Sequence, residues 1–215
     1  MTTGATLRPA RVRPRGDVAG VTDLRPSGVL FFLLGVAFIT VTMLAASIAP
    51  AYDFKGGAIS DLGVIDQTAP LFNSLLVVMG VLNMAGGYLY YRSHRRAWLL
   101  ALYVIAGIGT LGAGLFPLNT GGLHAIFALI AFLFYNLEGL GTAAVLAGPM
   151  RILGLIAGAA GLVYTVLMVI GDSGNPAVFG PIGHGGSERM IAYPVMLWLV
   201  ALGGYLMARH TEQGA

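Results

Sequence analysis

The chain has 215 residues, of which 57% are hydrophobic and only 10% charged, with a mean hydropathy of +0.81 and a formal net charge of +3. Soluble domains carry about 25% charged residues, so this composition excludes a water-soluble globule with an ordinary surface. There is no cysteine, which excludes disulfide frameworks, thiolate metal centres and cysteine nucleophiles.

Residues 1–26, containing RPARVRPRGDVAGVTDLRP, are basic and proline-rich, which predicts a disordered cytoplasmic tail. Its arginines act as a topology signal, with contact to anionic lipid as the alternative. The first apolar run covers 27–49. It is longer than the core of a secretion signal, and its best cleavage pattern, Ser47-Ile48-Ala49, is followed by Pro50, so it reads as a retained helix. Further runs follow at 69–91, 97–116, 122–147, 152–170 and 188–208, with a second cytoplasmic tail over 209–215. Each run approaches the ~20 residues that a membrane-crossing helix needs. In hydrocarbon every backbone group must bond within its own segment, and these runs lack the alternation of barrel strands. The fold class is therefore all-α: a polytopic membrane protein with six transmembrane helices in one bundle, residues 27–208.

Basic residues set the orientation. Arg8, Arg11, Arg13, Arg15 and Arg25 precede the first span, Arg92, Arg95 and Arg96 join the second to the third, Arg151 joins the fourth to the fifth, and Arg209 follows the sixth. Only Lys55 and Arg189 fall on the other side. Both termini are expected in the cytoplasm. GGYLYYRSH at 86–94 and GGYLMARH at 203–210 are alike, but interfacial Tyr, Arg and packing Gly explain them without an internal duplication.

The three outward connections hold the polar residues. They read DFKGGAISDLGVIDQ, FPLNTGGLH and DSGNPAVFGPIGHGGSER, the last two running into the fourth and sixth spans. AISDLG at 58–63, Asn73, FPLN with His124, and GxxSER before the sixth span, in that order, resemble the uncharacterised prokaryotic membrane family catalogued as domain of unknown function 998. The resemblance covers about 27–208. It implies a six-helix protein of the prokaryotic cell membrane and supplies no activity.

Function must therefore be read from the side chains. Ser60 and Asp61 suit a glycine-flanked turn, and equally a carboxylate at the bundle mouth, available as a base or a ligand. Asp53 and Asp66 read as solvated loop charges. His124 opens the fourth span and His184 precedes the sixth. Either could anchor at the interface, carry protons or bind metal. Ser187 is expected as the helix N-cap, with Glu188 complementing the dipole in the first turn. Arg189 opposes that dipole, so it is expected to pair with Asp61 or Glu188, or to hold an anion. Asp61, His124, His184 and Glu188 form a candidate catalytic set that could also hold a divalent metal such as zinc. Ser60, Asn73, Asn119, Ser187, Arg189 and Glu138 are candidate substrate contacts. Glu138 is the one carboxylate within a span, about 21 Å along the helix from His124 and about 40° round it. An acid at such depth is a functional candidate, or a protonated partner of Asn83. The glycines within the spans read as helix-packing positions.

The reading favoured is an enzyme acting on a lipid or small amphiphile at the extracytoplasmic face. A non-catalytic ligand-binding or accessory protein is the alternative, followed by a small-solute or proton-coupled transporter. The expected partners are membrane lipids. Nothing suggests nucleic acid, and no motif fixes an oligomeric state.

Overall fold

A computed structural model describes residues 23–208, so the expectations for the two tails lie outside the described residues. Six long helices account for nearly all of it: α1 (Arg25–Ile48), α2 (Ala69–His94), α3 (Ala97–Leu115), α4 (Gly122–Val145), α5 (Pro149–Asp172) and α6 (Gly183–Ala208). All six are long and apolar enough to cross a membrane. The described residues contain no strand. Proline in the first turn starts α1, α2 and α5, where its missing N–H costs nothing.

Each helix packs on the next, and α6 closes back onto α1, giving a ring of six. Phe31, Leu34, Met79, Tyr103, Leu199 and Leu202 fill the middle and are almost fully buried. The outer faces carry exposed Val78, Ile126, Ile156, Val166 and Leu197, the side chains that lipid rather than water would solvate. Glycine sets how closely one of these pairs approaches. A Cβ on Gly28 would lie 2.7 Å from the Gly203 carbonyl, and one on Gly203 would lie 2.6 Å from the Gly28 carbonyl, so α1 and α6 touch backbone to backbone.

Six passes put both ends of the bundle chain on one side, with the short connections at 95–96 and 146–148. This is the basic end. The other end, the loop end, gathers three longer connections built on short 3-10 segments, Ile59–Gly63, Leu118–Thr120 and Pro176–Ile182.

Five spans begin and end close to the sequence expectation. The sixth does not. Its helix starts at Gly183 rather than 188, so Ser187 is not an N-cap: its hydroxyl donates back to the Gly183 carbonyl at 2.9 Å, and Glu188 and Arg189 sit in the second turn. The reason is local packing. Gly183 takes φ +70°, Gly185 N donates to the Lys55 carbonyl at 2.9 Å, and a Cβ on Gly185 would strike the Gly57 carbonyl. The glycines that read as a loop let the helix end press against the 50–60 connection.

Candidate functional site

Two adjacent residues of α6 clip the first loop to the bundle. Arg189 is 7% exposed and points into a cage of oxygens. Its Nη1 donates to the carbonyls of Gly185 at 2.7 Å, Phe54 at 3.0 Å and Gly57 at 3.3 Å, and its Nη2 donates to the Tyr52 hydroxyl at 2.7 Å. The guanidinium also stacks over the Phe54 ring, 4.0 Å from its centroid. Tyr52 in turn donates to the Ala58 carbonyl at 2.7 Å. Burial pushes the Tyr52 phenol up from its ordinary value, against the opposing pull of Arg189. Glu188 holds the same loop from the other polarity: Ile59 N donates to its Oε2, and Ser60 Oγ donates to its Oε1 at 3.3 Å.

The loop thus pinned walls a cavity of about 680 Å³ between α4, α5 and α6. Ser60, Asp61, His124, Asp172, His184 and Glu188 line it, with Ala125, Leu129, Met168 and Val169 on its apolar side. A narrower crevice of about 60 Å³ runs into the ring among Phe38, Phe72, Leu76, Met79, Ala131, Tyr135 and Val195. Ser60, His124, Ala128, Phe132 and Glu188 line both spaces and form the junction between them.

His124 is 4% exposed, and its Nδ1 lies 2.8 Å from the Phe116 carbonyl. A carbonyl can only accept, so Nδ1 carries the proton, and in the neutral form of the ring Nε2 is the acceptor. No described protein group bonds that nitrogen. His184 is held differently, its Nε2 lying 3.1 Å from Asp172 Oδ1 at the exposed rim. Asp61 accepts from Ala58 N at 2.8 Å and so ties its own short turn.

The four expected catalytic residues, Asp61, His124, His184 and Glu188, therefore share one cavity wall, together with Ser60. Among the described residues no three His, Asp or Glu side chains are grouped so that they could hold one ion; backbone, Ser60 and Asp172 engage the four separately. Arg189 pairs with neither Asp61 nor Glu188; its Nη1 and Nη2 donate to backbone carbonyls and Tyr52, while its Nε is buried without a partner among the described residues. Ser187 bonds within α6, as described above. Asn73 donates to the Gly63 carbonyl at 2.9 Å, and Asn119 is exposed; neither lines the cavity or the crevice. Asp53 closes a turn by accepting from Lys55 N and Gly56 N, each at 2.9 Å.

Glu138 lies deeper and apart. It is fully buried and accepts from Asn83 Nδ2 at 2.8 Å, while the same amide donates to the Tyr103 carbonyl at 3.0 Å. Tyr103 and Thr142 share a further hydrogen bond of 2.7 Å. The expected Asn83 partnership is present, and Glu138 lines neither space. The crevice reaches Tyr135 and Asn136 on α4 but not Glu138 two residues further along the chain.

Two participants escaped the sequence reading. Asp172 is one, although an acid in the last turn of α5 opposes that helix's dipole, the same anomaly that singled out Arg189. Tyr52 is the other, and its role left no mark in the residue pattern.

A family model described as a protein of unknown function (DUF998) matches residues 32–205. No curated protein and no solved structure gives a significant match.

Proposed function

This chain belongs to the DUF998 family, and on that premise we propose that its loop-end cavity binds an amphiphile. The polar head lies against Ser60, His124 and Glu188, and apolar groups occupy the crevice and the open side between α4 and α5. One observation carries this reading: a wide cavity with polar groups on one wall and a narrow apolar crevice meet at shared residues. Ligand sites combine apolar walls with a few convergent polar groups in this way. Exposed Leu129 and Val169 border the cavity, so a chain can leave it sideways toward lipid. The arginine asymmetry supports an extracytoplasmic position for the cavity and cytoplasmic termini.

The test uses purified protein in nanodiscs titrated with dodecylamine, dodecyl glucoside and dodecyl phosphate, read by native mass spectrometry. At least one should bind saturably to the wild type and none to Ala128→Trp, which fills the junction. Failure of all three on the wild type, or equal binding by the variant, overturns the reading.

The state of His124 favours a second reading, in which the bound amphiphile is hydrolysed. The unpartnered Nε2 at the junction can take a proton from an attacking water, a general-base role. Turnover of an acyl-ester or acyl-amide amphiphile should then vanish in His124→Ala. Turnover that survives the substitution removes this reading and leaves the first intact.

A further inference from the structure

The cavity wall is unbalanced in charge and in hydrogen-bonding sense. Asp61, Asp172 and Glu188 contribute three carboxyl groups, and no lysine or arginine lines it. Arg189, the nearest guanidinium, is turned onto carbonyls and Tyr52. His184 lines the cavity as well, with its Nε2 3.1 Å from Asp172 Oδ1. One oxygen of Asp61 and one of Asp172 have no described protein partner.

A second observation points independently to a ligand. His124 is 4% exposed, its Nδ1 is committed to the Phe116 carbonyl, and its remaining nitrogen lines both spaces without a donor to meet it. Buried polar groups are ordinarily satisfied by protein, water or ligand. The open oxygens of Asp61 and Asp172 are acceptors, as is His124 Nε2 in the neutral ring, and the wall holds three carboxyl groups with no lysine or arginine.

We infer that the headgroup bound here is a protonated amine: a cation that donates N–H bonds, not a phosphate, a carboxylate or an uncharged polyol. An ammonium offers three donors and one positive charge, which answers the open carboxylate oxygens of Asp61 and Asp172. A phosphate would bring more acceptors and more negative charge to a wall already rich in both. The inference rests on the amphiphile reading and narrows it.

The experiment extends the nanodisc titration to four probes with one dodecyl chain: dodecylamine, dodecyltrimethylammonium, dodecyl glucoside and dodecyl phosphate. Dodecylamine should bind roughly tenfold to a hundredfold more tightly than the others, the range expected for one or two charge-assisted bonds. In Asp61→Asn/Asp172→Asn that preference should shrink at least tenfold by the same reasoning, with glucoside binding unchanged. Asp172→Asn alone, at an exposed rim position, gives the same comparison should the double variant fold poorly. Equal affinity of dodecyltrimethylammonium overturns the donor requirement. Equal affinity of the glucoside overturns the need for charge, and tightest binding of the phosphate overturns the inference outright. In all three cases the amphiphile reading survives. Failure of every probe, or equal binding by Ala128→Trp, removes both.

Discussion

Replacing Arg189 by methionine keeps the length of the side chain and removes its five donors. The substitution strands the carbonyls of Phe54, Gly57 and Gly185 and one bond of Tyr52. Bonds to a charged donor contribute about 1.5–3 kcal/mol each. Two of the four are short, at 2.7 Å, and the contact at 3.3 Å contributes little. The gross loss over the three remaining bonds is therefore about 4.5–9 kcal/mol, plus about 1 kcal/mol for the guanidinium over Phe54. Against it stands the relief of no longer burying a cation, several kcal/mol. A net destabilisation of about 2–4 kcal/mol remains, and for a chain of this length it should lower Tm by roughly 5–15 °C. Arg189→Lys should recover part of this, because an ammonium can serve the Gly185 carbonyl or Tyr52 but cannot fork to both. Local release is measured by introducing Lys55→Cys. The chain has no other cysteine, so thiol labelling reports this loop alone and should quicken in the methionine variant. A Tm within about 1 °C of wild type, with unchanged labelling, would refute the claim that this guanidinium holds the loop.

Gly28→Leu should destabilise the bundle by about 1–3 kcal/mol through forced separation of α1 and α6, whereas Gly204→Leu, where a Cβ meets nothing within 4 Å, should change the melting temperature little. Glu138→Gln should leave stability within about 1 kcal/mol, since it preserves an acceptor for Asn83, while Glu138→Ala should cost about 2–4 kcal/mol in cavity and lost bond; equal melting of the two would contradict the packing described. The Tyr52 phenol is raised in the folded protein. The loop contact it makes is therefore fully present below the ordinary tyrosine value and lost as pH rises through the folded one. Labelling at Lys55→Cys, corrected for the thiol's own ionisation, should stay flat through neutral pH and climb only above pH ~10; Tyr52→Phe should abolish that alkaline step. Lys55→Cys should also react with an impermeant thiol reagent added outside intact cells, and Arg95→Cys should not. The reverse pattern would invert the proposed topology.

The six spans were legible because length and hydropathy are decided residue by residue, with no need to know what touches what. The start of α6 was not, because GHGG carries the marks of a loop, low propensity and low hydropathy, while the cause of its helical turn lies in Lys55 and Gly57, far away in the chain. The gathering of Asp61, His124, His184 and Glu188 at one cavity follows from topology: all were expected at the loop ends of neighbouring spans. Their individual tasks did not follow. Arg189 was expected to seek a carboxylate, and its partners proved to be mostly backbone oxygens, which exist at every position and so leave no trace in residue identity. The Phe116 carbonyl that sets the tautomer of His124 was hidden for the same reason. Asp61, with a backbone N–H as its partner, shows it again with the polarity reversed.

Glu188 and Arg189 grip the first loop largely through its main chain, accepting from Ile59 N and donating to the carbonyls of Phe54 and Gly57. A grip of that kind is indifferent to most of what the loop displays. The Lys55 side chain can be exchanged without letting go of the bundle, so long as the Asp53 turn, the Phe54 ring, the Gly56–Gly57 bend and Tyr52 remain. The loop behaves as a panel held by its frame, and the side chain displayed at 55 could be varied against new ligands while α6 keeps each variant in place.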